Sequence, residues 1–201
     1  TWKTPENMVS KPDFVTDPRQ NRHGKLPENA DAKGLNQSPS LKDELYLRFY
    51  LSSPEEFALP LISIKEVIEV TPNQIIPIPN TSPLVLGVVN WRSRLIWVVD
   101  LGKFMGEMIP LNLERRSQVS VITTEYEDAI IGLAVDHICA TFWLDMESVV
   151  APTDVPDDIV PFVHGEWLDS ENNKSVKLIN QKIILQSDKW ASMVKFNQEE
   201  K

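Results

Sequence analysis

The chain has 201 residues, 42% hydrophobic and 24% charged, with a net charge of −9 and one cysteine. This is the composition of an ordinary globular protein with room for one packed domain and tails. No apolar run approaches ~18 residues, so no membrane-spanning helix is expected; the acidic balance weighs against nucleic acid or an anionic membrane as partner.

Residues 1–42 differ from the rest. They hold five of the 15 prolines, no apolar periodicity, and seven basic against five acidic residues, which leaves −11 on the remainder. Such a segment buries too little apolar surface to offset its ordering entropy, so a disordered or loosely draped tail is expected, with Trp2 and Phe14 as its candidate anchors. It has no apolar stretch like that of a signal peptide. With the lone Cys139, this places the expectation in a reducing cytoplasm.

From Asp43 a period of two begins. Leu45, Leu47, Phe49 and Leu51 share one face and Tyr46, Arg48 and Tyr50 the other, which predicts a half-buried strand. FALPL is a second short strand that Pro60 assigns to an edge. ISIKEVIEV reads as a brief helix running into a strand. TPNQIIPIPNTSP, with four prolines, is an extended connection. Ser82-Pro83 then marks a helix start and Gly87 its left-handed cap, so SPLVLG is a predicted helical turn. The strands VVNW and LIWVVDL flank Arg92-Ser93-Arg94 as a hairpin. Gly102 to Gly106 is a turn and cap.

QVSVITT and AIIGLAV are strands joined by the acidic turn EYEDA, and HICATFWL is a third. DMESVVAPTDVPDDIVPFV loops across the surface. WLDSENNKSVKLINQKIIL is a hairpin, and QSDKWASMVKF is the best helix candidate, with Ser187 or Asp188 as N-cap. Short, closely spaced strands imply a mainly β barrel or sandwich. A rough duplication of texture suggests two subdomains, one running to about Phe104 and one starting from about Val119. The globular domain spans residues 43–194, with 195–201 as a C-terminal tail.

The residues offer little chemistry. His137 and Cys139 are two apart, with no second ligand motif to make a metal site. An enzyme centred on Asp136, His137 and Cys139 lacks a nucleophile–base–orienter set. The seven glycines form no phosphate cradle. No catalytic residue, metal or cofactor is therefore expected. Trp91 beside Arg92 and Arg94 is the one grouping that fits stacking on single-stranded nucleic acid. Against −11 on the folded part, a core or protein-interface role is favoured for the tryptophans, including Trp97.

GVVNWRSRLIWVVDL resembles the signature of CheW-like domains, the adaptor modules of bacterial chemosensory systems, at Gly87, Asn90, Arg92, Asp100 and Leu101. YLRFYLSSPEEFALPLISIKEVIEV is similar to the family's opening strands, with Glu66 in the matching place. AIIGLAVDHI matches a later strand at Gly132, Val135 and Asp136. Two departures stand out: Ser93 where the family has Gly, and Trp97 where it has Pro. Ser93 at positive φ costs about 1 kcal/mol. Tryptophan-bearing members of this kind are similar to those of cyanobacterial pilus-dependent motility or phototaxis systems.

The resemblance implies two five-stranded SH3-like β-barrels sharing a core, with a few short helices and no catalysis. It implies an adaptor between a chemoreceptor's cytoplasmic tip and a CheA-type histidine kinase, with other CheW-like domains as further partners. The protein would be cytoplasmic, drawn to membrane receptor clusters without inserting. Glu66, Asn90, Trp91, Arg92, Arg94 and Trp97 are the expected interface or interface-positioning residues. An unpaired buried guanidinium is costly, so Arg92 is expected either to pair with Glu66 or to snorkel from the barrel into water. Arg94 is expected to be solvated. Gly87, Asn90, Asp100, Gly132 and Asp136 carry structural roles, with Asn90 and Asp100 bonding local backbone.

Overall fold

The computed structural model describes residues 42–126, 129–170 and 172–191. The expected N-terminal and C-terminal tails, with Trp2 and Phe14, lie outside these residues, apart from Lys42. Ten strands form two five-stranded sheets. In chain order they are β1 (Asp43–Tyr50), β2 (Glu56–Pro60), β3 (Glu66–Val70), β4 (Val85–Trp91), β5 (Arg94–Asp100), β6 (Val119–Tyr126), β7 (Ala129–Val135), β8 (His137–Asp145), β9 (Val163–Asp169) and β10 (Lys174–Ile179). Helix α1 (Leu101–Met105) follows β5 and α2 (Gln181–Leu185) follows β10.

One sheet runs β3-β6-β7-β5-β4 and the other β8-β1-β2-β10-β9. The sequence halves are therefore not the structural halves. The first two strands leave their neighbours and join the last three, because β2 pairs in parallel with β10. The two sheets nevertheless repeat one plan, circularly permuted along the chain. β5 pairs in parallel with β7 as β10 does with β2. Asp100 caps α1 as Asn180 caps α2. In each sheet, the segment leaving one edge strand bridges to the opposite edge: Ile76 to Val88 on β4, and Val150 to Glu166 on β9. That bridge joins the two edges of each sheet, which otherwise would offer unpaired backbone groups.

Gly87 and Gly165 make these bridges possible. Both sit at register shifts, opposite Val98 and Leu178. A Cβ at Gly87 would lie 2.3 Å from the Ile76 carbonyl oxygen, and one at Gly165 would lie 2.4 Å from a Val149 methyl. Gly87 also has φ 148, so it is a bulge glycine within a strand and not the predicted helix cap. The predicted turn SPLVLG is strand from Val85 onward.

Apolar clusters follow the two barrels. Ile68, Val70, Val89, Ile96, Val98, Val119 and Val121 fill the interior of the β3–β7 barrel. Gly132 stands among them because a Cβ there would lie 2.7 Å from a Val121 methyl. Tyr46, Ala58, Leu144, Val176 and Leu178 fill the other barrel. The largest cluster lies between the sheets: Leu47, Phe49, Phe57 and Leu59 meet Val99, Phe104, Ile122 and Leu133. Two SH3-like barrels with a shared core are the architecture that the resemblance implied.

Several local expectations change. β1 is packed on both faces, since Tyr46 is as buried as Phe49. β2 is central, not an edge: Pro60 is its last residue, and β10 pairs only with Glu56 to Ala58, so the missing N–H falls past the ladder with β10. The helix predicted within ISIKEVIEV is a 3₁₀ turn at Leu61–Ser63, ahead of β3. The final helix candidate opens at Lys189, whose N–H is capped by Ser187 Oγ, and its residues from 192 on lie outside those described. α2, just before it, was not predicted.

Candidate functional site: the Glu66 clamp and the β4–β5 hairpin

β4 and β5 are joined by a two-residue turn, Arg92-Ser93, both at positive φ (49 and 63). This is the mirror-type turn whose twist matches paired strands, and it normally takes Asn or Gly. Arg94 belongs to β5, opposite Trp91. The turn throws Arg92 back toward β3, the opposite edge of the same sheet. There Arg92 Nη2 lies 2.8 Å from Glu66 Oε1, and Trp91 Nε1 donates to Glu66 Oε2 at 3.2 Å. One carboxylate is thus held from both sides by consecutive residues. The Arg92 guanidinium also sits 5.7 Å from the Trp91 ring centroid, within cation–π reach.

The clamp links β3 to β4, so it fastens the barrel's two edges at one end, as the Ile76–Val88 bridge does further along. Arg92 is 72% exposed and Glu66 32%, which limits the pair to about 0–1 kcal/mol of stability. Its effect is on position. Directly behind the turn, Ile76, Val88 and Trp97 lie abreast on one face by register, with Leu95 two residues along β5. Ile76, Leu95 and Trp97 are exposed, and together they form an apolar strip on the hairpin.

Asn90 is exposed, and among the described residues no hydrogen bond is recorded for its amide, so the expected local backbone bond is not formed. Arg94 is exposed as expected. Asp100 is buried and bonds local backbone: Oδ1 accepts from Lys103 N–H at 3.0 Å and Oδ2 from Leu111 N–H at 2.7 Å. Asp136 accepts from Arg116 and from His137 Nδ1, at 2.9 Å for the latter. Burial works to raise its carboxyl pKa, but those two partners outweigh it and hold it below the usual range. His137 stacks on Tyr50 at 4.6 Å. Burial and the charge of Glu56 push the Cys139 thiol up, the opposite of an activated nucleophile. Asp136 and His137 are thus engaged in structure, while Cys139 is free and exposed. Trp91 and Arg92 are engaged with Glu66 and with each other.

A charged cluster missed at the sequence level plugs one end of the other barrel. Arg48 bonds Glu56 through Nε (2.8 Å) and Nη2, and Asp169 through Nη1 (2.9 Å). Lys174 and Tyr50 both donate to the second oxygen of Glu56. Phe142 and Trp167 stack on each other with centroids 4.7 Å apart, and the Arg48 guanidinium lies beside them, 5.6 and 5.9 Å from their centroids. Burial would raise the Glu56 pKa, yet Lys174, Tyr50 and Arg48 hold it at about 2. Alternation in β1 did place Arg48 with Tyr46 and Tyr50; the mistake was to assign that face to solvent.

Twin closed barrels sharing a core, with a fastened hairpin and an exposed apolar strip beside it, define a mainly β domain. The chain belongs to the CheW-like domain family, whose model matches residues 46–189. It is 30% identical over 99 residues to the chemotaxis protein CheW of Thermotoga maritima, covering 49% of this chain and 61% of that protein. It is 35% identical over 91 residues to Protein PilI of Pseudomonas aeruginosa, covering 44% of this chain and 48% of that one. The matches thus span about half to three-fifths of those relatives' length. The crystal structure of the scaffolding protein TtCheW from Thermoanaerobacter tengcongensis superposes with a TM-score of 0.60 at 23% identity. It covers 72% of this chain and 94% of that chain, a likeness of fold. No helix among the described residues is long and apolar enough to cross a membrane.

Proposed function

We propose that this chain is a non-catalytic scaffold that couples a chemoreceptor's cytoplasmic tip to a CheA-type histidine kinase, in a chemotaxis, phototaxis or pilus-motility pathway. It works in the cytoplasm at membrane receptor clusters, with other CheW-like domains as further partners and without cofactor or nucleic acid. Membership of the family supports this reading, as do relatives named for chemotaxis and PilI. The observation that carries it is the Glu66 carboxylate held by Trp91 and Arg92 beside exposed Leu95 and Trp97.

The clamp costs little when free and sets the angle of the hairpin, so partner contact finds the strip already in place. Glu66, Trp91 and Arg92 position; Trp97 and Leu95 make the apolar contact; Asn90 and Arg94 form a polar rim. A double-mutant cycle of Glu66→Gln and Arg92→Ala on binding to the chemosensory kinase encoded in the same genome tests it. Each substitution weakens binding about tenfold, with a coupling of about 1 kcal/mol between them. Zero coupling removes the clamp from the mechanism, and full binding by Trp97→Ala removes the strip.

A further inference from the structure

Each barrel sends a loop to the rim of the shared core, and the two loops meet there. The β1–β2 turn starts from Leu51 and the segment after α1 starts from Met105, and both residues belong to the shared core. The side chain that joins the loops is Glu107. Its Oε2 accepts from Ser52 N–H at 3.0 Å, and the Ser53 hydroxyl lies against the same carboxyl. Glu107 Oε1 and Ser53 Oγ are both buried, and neither completes a hydrogen bond of ordinary geometry. Room for this carboxyl comes from Gly102 of α1, where a Cβ would lie 2.6 Å from Glu107 Oε2. The same Cβ would lie 3.5 Å from Asp100 Oδ1, so two carboxyl groups crowd one glycine.

No cation neutralises this carboxyl. Among the described residues, neither Glu107 nor Lys103 on α1 is in an ion pair. Asp100 approaches Glu107 from the end of β5. Glu55, from the β1–β2 turn, and Asp158, from the stretch ahead of β9, line the same cleft as Glu107. Lys177 on β10 is taken by Glu55 at 3.4 Å, and Lys189 Nζ donates to the Phe104 carbonyl at 2.5 Å. Burial pushes the Glu107 carboxyl up and the charge of Asp100 adds to that, against the hydrogen bonds from Ser52 and Ser53.

A carboxylate can only accept hydrogen bonds, whereas a protonated carboxyl donates one and still accepts. The junction holds a donor, Ser52 N–H, and a hydroxyl oxygen, Ser53 Oγ, that can accept a proton carried on Oε1. The neutral form of Glu107 therefore suits both neighbours. The ionised form is a buried charge without a counter-charge, beside Asp100. We propose that Glu107 is a proton-controlled latch between the two barrels: protonated, it holds the β1–β2 turn against α1, and ionised, it lets the turn go. The cleft of about 290 Å3 that Ser53 and Glu107 help to line gives water access to the proton. The pH dependence runs opposite to that of Glu56. The stability contributed by the proton is complete below 4.5, the ordinary glutamate value, and is lost as pH rises from there through the raised value.

The test is amide hydrogen exchange at Ser52 in the full chain, read by NMR from pH 4.5 into the mildly alkaline range and corrected for the intrinsic exchange rate. Protection at Ser52 falls about tenfold for each pH unit between 4.5 and the Glu107 midpoint, then levels off. The midpoint is read from the carboxyl carbon signal of Glu107 and lies above 4.5. Glu107→Gln carries a donor and an acceptor at every pH, so its Ser52 protection stays flat. Asp158→Asn keeps the slope, because Asp158 is exposed and outside the latch. A midpoint at or below 4.5 overturns the proposal in the unaltered chain, whatever the variants do. A flat profile in the unaltered chain, a slope that survives Glu107→Gln, or a slope lost in Asp158→Asn overturns it too. The kinase cycle at the hairpin is independent of each of these outcomes.

Discussion

The two barrels share a plan and differ at one end. Their strand registers align Leu178–Ala58 with Val98–Gly132, and Gly165 with Gly87. On that alignment Arg48 corresponds to Thr123, Glu56 to Ile130, Asp169 to Trp91 and Lys174 to Arg94. The β8-β1-β2-β10-β9 barrel is closed at this end by a buried ionic cluster. The β3–β7 barrel closes the same end with an indole, and its ion pair has moved outward to Glu66 and Arg92. A buried cluster is unforgiving: removing one member strands the others. An exposed pair is cheap to remove and free to be used by a partner. The first kind of end holds a fold, and the second can be spent on recognition.

The largest expected effect breaks the contrast at its buried side. Arg48→Met leaves Glu56 and Asp169 without their guanidinium and destabilises the chain by about 3–5 kcal/mol, read by urea denaturation. Loss below 1 kcal/mol would mean the cluster is as dispensable as a surface pair. Acid sharpens the same contrast. The Glu56 pKa is held at about 2 against 4.5 for an ordinary glutamate. Its contribution is therefore complete above pH 4.5 and is lost as pH falls from there toward 2. The integrated loss is about 3 kcal/mol, and Glu56→Gln flattens that part of the stability–pH curve. The smallest effect lies at the hairpin. Ser93→Gly relieves a positive φ and raises stability by about 1 kcal/mol, while leaving the Glu66 contacts in place. A loss on that substitution would show that Ser93 has a role beyond the turn.

Much of this was legible from spacing. Period-two alternation located β1, β5, β6, β7 and β10 closely enough, and one of the two outlets expected for Arg92 was pairing with Glu66. What failed was local punctuation whose meaning depends on distant neighbours. Ser-Pro followed by Gly reads as a helix start and cap, yet Gly87 is glycine because Ile76 crosses it. Pro60 reads as an edge signal, yet it falls just past the ladder with β10. Arg48 alternates like a solvent residue, but β8 and β9 bring Phe142, Trp167 and Asp169 over it.

The sequence by itself showed, through the order of its apolar and polar residues, short strands and a hairpin with its tip at Arg92-Ser93-Arg94, and, through the motif GVVNWRSRLIWVVDL, a resemblance to CheW-like domains. Each of those depends on neighbours within a few positions, or on a motif readable in line. Which strands share a barrel, and which charges are buried, was decided only in three dimensions. β2 pairs with β10 across more than a hundred residues of chain, and only that pairing brings Asp169 and Lys174 to Arg48 and Glu56. Backbone alternation gives a side chain its face, but only the packed neighbours decide whether that face meets water.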